Sequence, residues 1–135
     1  MQASDTAARA ILLIEDDRTI RELLAEYLGE EGFTVTTAAD ATAALAALAA
    51  RPFALIVSDA LAEQRPHEER WSQLDAIQRA ARGVPVIICT ANRASAYADY
   101  AARGFDGLLI KPFDLEALLA LIVYTIKDAC PMRNG

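Results

Sequence analysis

The sequence predicts an α/β protein with an open, doubly wound sheet of five parallel strands, in which strands and helices alternate in (βα)5 order. Short apolar runs recur along the chain, and each is continuously apolar rather than alternating, which is typical of strands covered on both faces. Helical patterns fill the intervals between these runs. Because crossovers between parallel strands are right-handed, such helices come to lie on both faces of the sheet.

Five segments are the strand candidates. They are AILLI at 10–14, FTVTT at 33–37, FALIVS at 53–58, VPVIIC at 84–89 and GLLI at 107–110. The second is the weakest, because it is the least apolar. Cys89 ends the fourth run, where burial as a small apolar side chain is favoured over a reactive thiol. Since Cys89 and Cys130 lack the spacing of paired thiolate ligands, the sequence argues against a metal site built on cysteine.

The first two helices have clear sequence signals. Apolar residues at helical spacing predict the first helix, with Gly32 at its C-cap. These apolar residues are Ile20, Leu23, Leu24, Tyr27 and Leu28. Asp40 is the predicted N-cap of a second helix that carries Leu45 and Leu48.

Three further helices fill the remaining intervals. The third predicted helix has an apolar stripe that includes Trp71, and the fourth carries Tyr97 and Tyr100 and ends near Gly104. The last helix has the strongest pattern, with Asp114 as its predicted N-cap. Its apolar stripe consists of Leu115, Leu118, Leu119, Ile122, Val123 and Ile126.

Length and composition set the domain organisation. The 135 residues fit a single domain, which we expect to have an ordered core over about 8–128 and a loose C-terminal tail at 129–135. No apolar stretch approaches the roughly 20 residues needed to span a bilayer, and the first residues lack the apolar core of a signal peptide, so we predict a cytoplasmic protein. The net charge of −6 and the lack of a basic run argue against nucleic acid or a membrane surface as a partner.

Ionisable and hydroxyl groups follow four of the five predicted strands. They are Glu15, Asp16 and Asp17 after the first strand, Asp59 after the third, Thr90 after the fourth and Lys111 after the fifth. In an open α/β sheet, ligands bind in the crevice outside the carboxyl ends of the strands. We therefore expect these side chains to form a functional site at one edge of the sheet.

Four motifs occur in order along the chain at spacings that resemble those of a known family. They are ILLIEDD, LIVSDA, PVIICTA and KPFDLEALL. Over about residues 8–128 the sequence resembles the receiver domain of bacterial two-component response regulators, which has the CheY-like, flavodoxin-like fold. The resemblance implies that Asp59 accepts a phosphoryl group from a sensor histidine kinase or a phosphotransfer protein. It also implies signalling through contact with a downstream protein rather than catalytic turnover.

The resemblance further implies a Mg²⁺ site. Asp16 and Asp59 would bind the ion directly, Glu15 would bind it through water, and the backbone carbonyl of Leu61 would complete the ligand set. The chemistry of the residues agrees, because a carboxylate is a poor nucleophile toward an anionic phosphoryl group unless a cation screens both charges. Such an ion also balances the crowded negative charges.

The remaining polar residues near this edge have separate interpretations. By resemblance, Lys111 would contact the phosphoryl oxygens, aided by a cis Lys111–Pro112 peptide bond, and Thr90 would donate its hydroxyl to them. We favour helix capping over metal contact for Asp17. His67, the single histidine, is predicted to be a solvated loop residue rather than a ligand.

Three aromatic residues are each open to two interpretations. Trp71 is expected to be partly packed in the core, although an anchor for a partner is an alternative. For Tyr97 and Tyr100, core packing and a surface used by partners or by a dimer are equally compatible with the sequence. The oligomeric state is accordingly left as monomer or weak homodimer.

The sequence departs from the family in two places. No glycine occurs between Asp59 and Arg82, where the family has a glycine-containing turn, and Leu108 stands where the family has Tyr or Phe three residues before the lysine. An aromatic ring there moves inward on phosphorylation, and leucine cannot do so, which predicts an atypical switch. The alternative is a phosphorylation-independent receiver that acts as an interaction module. The chain is expected to be a stand-alone receiver or an excised receiver domain.

Overall fold

The computed structural model of the protein describes residues 8–60, 67–91 and 97–129, with backbone alone described at 67–70 and 128–129. The strands are β1 (Ala10–Ile14), β2 (Thr34–Ala38), β3 (Leu55–Asp59), β4 (Val86–Thr90) and β5 (Gly107–Ile110). The helices are α1 (Arg18–Glu30), α2 (Ala41–Ala50), α3 (His67–Ala81) and α4 (Leu115–Ala129).

The five strands form one parallel sheet in the order β2-β1-β3-β4-β5. This confirms the predicted open, doubly wound sheet. The chain moves outward in one direction from β1 to β2 and in the other direction from β3 to β5, so the order reverses between β1 and β3. The carboxyl ends of these two strands therefore border the crevice in which such sheets bind ligands.

Aspartates begin the first two helices as predicted. The Asp17 carboxylate accepts a hydrogen bond of 3.0 Å from the backbone N–H of Ile20, and the Asp40 carboxylate accepts one of 2.8 Å from Ala43. Each carboxylate thus satisfies an N–H that has no partner within its helix. At the other end of α1, Gly32 has a φ of +99°, a conformation that glycine adopts without steric cost.

Strand side chains alternate between two buried clusters, one on each face of the sheet. The aromatic-face cluster lies under α2 and α3 and includes Leu12, Ile14, Ile56, Trp71, Leu74, Ile77, Ile88, Tyr97 and Phe105. The aliphatic-face cluster lies under α1 and α4 and includes Ile11, Leu13, Leu24, Leu28, Leu55, Val57, Ile87, Cys89, Leu118 and Ile122. Burial on both faces is the reason that these strands are continuously apolar.

The predicted fourth helix is wrong over its described part. Residues 97–104 form consecutive turns, in which Tyr100 N–H donates to the Tyr97 carbonyl, Gly104 N–H to the Ala101 carbonyl, and Arg103 N–H to the carbonyls of both Asp99 and Tyr100. These turns lie where Tyr97 and Phe105 pack inward against Trp71, and tertiary packing overrides a weak helical pattern. The described residues therefore contain four of the five predicted helices.

Two smaller points complete the fold. His67, which we expected in a loop, is the first residue of α3. None of the helices in the described ranges is both long and apolar enough to cross a membrane.

Candidate functional site

The parallel register places two acidic residues side by side at the carboxyl edge of the sheet. Ile14 of β1 pairs with Ser58 of β3, and Glu15 and Asp59 come next along their strands. Lys111 follows β5, two strands away from β3, and its side chain reaches back to both carboxylates. Residues distant in sequence thus meet because parallel strands end at one edge.

Lys111 forms ion pairs with both carboxylates. Its Nζ lies 2.8 Å from Asp59 Oδ1 and 3.2 Å from Glu15 Oε1, and it donates a hydrogen bond to each. The other oxygen of Glu15, Oε2, accepts a hydrogen bond of 3.1 Å from the backbone N–H of Asp17. Glu15 is only 3% exposed, so these contacts replace most of the water that an ionised carboxylate requires.

The electrostatics of the site show an excess of negative charge. Burial raises the pKa of Glu15, and the nearby charge of Asp59 raises it further, against the lowering effects of the Asp17 N–H and of Lys111. Burial lowers the pKa of Lys111, but its hydrogen bond to Asp59 and the charges of both carboxylates outweigh burial and raise that pKa above its ordinary value. Lys111 therefore stays charged, and one cation faces several carboxylates.

A metal ion would fit this cluster. Glu15, Asp16 and Asp59 each present a carboxylate oxygen, and these oxygens lie within 4.8 Å of one another. Hard oxygen ligands of this kind suit Mg²⁺. Asp16 is exposed, which leaves one side of the cluster open to solvent. The predicted fourth ligand, the carbonyl of Leu61, lies outside the described residues.

Thr90 lies at the same edge as the carboxylates. It is the last residue of β4, it is buried, and its backbone carbonyl accepts a hydrogen bond of 2.7 Å from the backbone N–H of Lys111. The Lys111–Pro112 peptide bond is cis, as the family resemblance implied. The structure thus brings Thr90 and Lys111 together, and the predicted contact of the Thr90 hydroxyl with a phosphoryl group stays a prediction.

The Cys89 thiol, next to Thr90, plays no part in this chemistry. Burial raises its pKa to about 12, with a smaller opposing effect from Lys111. A thiol with such a pKa stays protonated and unreactive at neutral pH. Its burial confirms that it acts as a small apolar side chain.

Sequence reasoning missed one residue that holds the loop after β1. Arg21 of α1 donates from Nη1 to the backbone carbonyls of Glu15, at 2.9 Å, and of Asp16, at 3.5 Å. A basic residue in the first turn of a helix that follows an acidic loop was the available signal.

Sequence reasoning also missed a contact behind Asp59. The hydroxyl of Tyr97 donates a hydrogen bond of 3.3 Å to the backbone carbonyl of Ala60, the residue that follows Asp59. No sequence signal identifies this contact, because it joins two segments that are 37 residues apart.

Comparison with known proteins gives consistent matches. Residues 11–123 match the family model described as the response regulator receiver domain. The chain is 36% identical over 116 residues to the response regulator protein FleR of Pseudomonas aeruginosa, covering 85% of this chain and 24% of FleR. It is 30% identical over 125 residues to the transcriptional regulatory protein GlrR of Escherichia coli, covering 92% of this chain and 28% of GlrR. The chain therefore spans about a quarter of the length of these relatives.

Solved structures show the same fold. The chemotaxis protein CheY4 of Vibrio cholerae superposes with a TM-score of 0.72 at 28% identity, covering 86% of this chain and 97% of that one. The protein NtrX of Brucella abortus superposes with a TM-score of 0.79 at 26% identity, covering 93% of this chain and 28% of that one.

Proposed function

Since the chain belongs to the response regulator receiver domain family, we propose that it accepts a phosphoryl group on Asp59 from a sensor histidine kinase or a phosphotransfer protein. Domains of this family are signalling modules, not turnover enzymes. The observation that carries the proposal is the position of the Asp59 carboxylate, 2.8 Å from the Lys111 ammonium and among three clustered carboxylates. No single segment of the chain builds this arrangement.

The proposed transfer is a displacement at phosphorus. A carboxylate oxygen of Asp59 forms a bond to the phosphorus of a phosphohistidine while the bond from phosphorus to the imidazole nitrogen breaks. The electron pair of that bond stays on the nitrogen, and the product is an acyl phosphate on Asp59.

The side chains around Asp59 manage the charge in this step. Lys111 neutralises part of the charge on the phosphoryl oxygens, and the Thr90 hydroxyl donates a hydrogen bond to them. Asp16 and Asp59 would hold a Mg²⁺ ion directly, Glu15 would hold it through water, and the Leu61 carbonyl would complete the ligand set. The ion would supply further positive charge between the two anions. Arg21 keeps the loop that carries Glu15 and Asp16 in place through their carbonyls.

The proposed output is contact with a downstream protein, through a switch that differs from the usual one. Leu108 lies on β5 and packs, partly buried, against the aromatic-face cluster. It has no ring to move and no polar atom to exchange partners. This observation also favours a second candidate, a phosphorylation-independent interaction module that retains the acidic cluster.

Phosphorylation with a small donor tests the proposal. The protein is incubated with acetyl phosphate and Mg²⁺, and the intact mass is measured. We expect the mass of one phosphoryl group to be added to the wild type and not to Asp59→Asn. Asp40→Asn is the matched control, because asparagine also caps helices and the variant keeps Asp59.

The outcomes separate the two candidates. Uptake in both the wild type and Asp59→Asn would place the phosphoryl group elsewhere and contradict the assignment. No uptake in a folded wild type would favour the interaction module.

Asp16→Asn should weaken Mg²⁺ binding in a direct titration, and unchanged affinity would remove Asp16 from the ligand set.

A further inference from the structure

Tyr97 makes an unusual contact behind the phosphoacceptor. Its side chain is fully buried, and its hydroxyl donates to the carbonyl of Ala60 at 3.3 Å. The N–H of the same Ala60 donates to the Cys89 carbonyl at 2.9 Å. The N–H and the carbonyl of Ala60 thus each have a partner among the described residues, the neighbouring strand and the Tyr97 hydroxyl respectively. Any movement of the backbone next to Asp59 acts directly on Tyr97.

The Tyr97 ring passes this contact to α3. Its centroid lies 5.2 Å from that of Trp71, with the rings edge to face, and Phe105 packs on Trp71 with the centroids 5.3 Å apart. Close-packed rings cannot shift independently, because cores are packed as densely as crystals. These three residues form an aromatic triad that joins α3 to residues 97–105.

The triad also reaches the protein surface. The guanidinium of Arg103 lies over the Trp71 ring, 4.3 Å from its centroid, and its side chain is 32% exposed. Arg103 pairs with Asp99 at 2.9 Å and approaches Asp75 of α3 at 3.8 Å. A change in the orientation of Trp71 therefore alters the position of a surface cation.

The triad contains a buried polar atom. The indole N–H of Trp71 is buried and has no hydrogen-bond acceptor in the part of the chain that the structure describes. An arrangement of the rings that gave this N–H an acceptor would gain the free energy of that hydrogen bond.

Building on the proposed phosphorylation of Asp59, we propose that Tyr97 is the residue that transmits the state of Asp59 to the aromatic triad and, through Arg103, to the surface formed by α3 and residues 97–105. Phosphorylation draws Lys111 toward new oxygens and shifts the backbone at Ala60. The Tyr97 hydroxyl follows that carbonyl, and its ring reorients Trp71. Leu108 packs against the same cluster but has no hydrogen-bonding group with which to contact the backbone at Ala60.

Trp71 provides the readout, because it is the single tryptophan of the chain. Its fluorescence is measured with Mg²⁺ alone and then with Mg²⁺ and beryllofluoride, a mimic of the phosphoryl group. We expect beryllofluoride to change the emission of the wild type, and we expect this change to be lost in Tyr97→Phe, which keeps the ring and removes the hydroxyl. Tyr100→Phe, a hydroxyl removal in the same segment, is the matched control and should respond as the wild type does.

Acetyl phosphate labelling of the same proteins separates failure of this inference from failure of the proposed function. If the wild type takes up a phosphoryl group but Trp71 does not respond, or if Tyr97→Phe responds fully, the transmission by Tyr97 is wrong while the phosphoacceptor assignment stands. If the wild type takes up no phosphoryl group, the proposed function fails and this inference fails with it.

A second measurement covers the case in which Tyr97→Phe does not fold. Amide hydrogen exchange of the wild type is then compared with and without beryllofluoride. Changes in both 71–81 and 97–105 support the transmission, and changes confined to one of these segments overturn it.

Discussion

The two faces of the sheet have similar strand residues but different coverings. β1 alternates Ile11 and Leu13 on one face with Leu12 and Ile14 on the other, so the strands themselves are aliphatic on both sides. The aliphatic-face cluster is closed by leucines and isoleucines of α1 and α4. The aromatic-face cluster is closed by Trp71 and by two rings from residues 97–105.

The difference teaches where a change at the site can be transmitted. Most side chains of the cluster under α1 and α4 are aliphatic and have no hydrogen bonds to exchange, although Phe33 is buried in it and Tyr27 and Phe113 pack against it. Tyrosine and tryptophan combine large buried rings with polar atoms that need partners. Within the described ranges, the aromatic face links the Tyr97 hydroxyl, through the Ala60 carbonyl, to the strand that ends in Asp59. We therefore expect the aliphatic face to contribute mainly to stability and the aromatic face also to respond to the state of Asp59.

The largest effect that we expect is the loss of stability when a buried leucine is truncated to alanine. It tests whether the two faces contribute equally to stability. Leu74 of α3 and Leu118 of α4 are both fully buried, on opposite faces. We expect Leu74→Ala and Leu118→Ala each to lower the free energy of unfolding by about 2–5 kcal/mol, because each leaves a cavity. Urea denaturation measures this loss.

The same pair of variants distinguishes the faces. Leu74→Ala should shift the emission of native Trp71, three residues away on the same helix, whereas Leu118→Ala should leave it unchanged. An equal shift in both variants would show that the two faces are not independent.

An effect of intermediate size on stability is expected from Glu15, at the carboxyl edge of the sheet where the two faces meet. Because the pKa of Glu15 is raised in the folded protein, the folded state holds its proton more tightly than the unfolded state. Without metal, Glu15 therefore makes no difference below its unfolded pKa and destabilises the fold as the pH rises above about 4.5. In EDTA, the stability of Glu15→Gln relative to the wild type should increase over this range.

Thermal unfolding in EDTA across this pH range measures the difference. Glu22→Gln is the control, since Glu22 is an exposed glutamate paired with Arg18 on the surface of α1. A relative stability of Glu15→Gln that falls with rising pH would contradict the excess of negative charge at the edge.

The smallest effect that we expect is on the reaction rate of the Cys89 thiol, which lies on the aliphatic face. With a pKa of about 12 and a buried side chain, Cys89 should react with a disulfide reagent no faster than the protein unfolds. Labelling is measured in a Cys130→Ser background at about pH 8, where unfolding in urea exposes the thiol. Beryllofluoride should leave the native rate unchanged, and acceleration would show that the aliphatic face also responds.

Several features of the fold and of the site could be predicted from the sequence. The continuous apolar runs predicted the strands, and Asp17 and Asp40 were identified as N-caps because capping depends on a few neighbouring residues. The grouping of Glu15, Asp16 and Asp59 followed from the rule that parallel strands end at one edge. These predictions rest on local chemistry or on topology alone.

Other features required the folded chain. The helix predicted to carry Tyr97 and Tyr100 and to end near Gly104 is replaced by turns over 97–104, where Tyr97 and Phe105 pack against Trp71 from a distant segment. The sequence left both core and surface positions open for Tyr97, and only the fold shows it buried.

The sequence by itself determined the α/β class, the strand positions and the kinds of groups at the sheet edge, because periodicity and charge depend only on the order of the residues along the chain. Tertiary structure alone decided which side chains make contact. Lys111 forms hydrogen bonds to both Glu15 and Asp59, and the Tyr97 hydroxyl donates to the Ala60 carbonyl. Those contacts depend on strand register and on side-chain packing across the sheet, which bring together residues that sequence spacing keeps far apart.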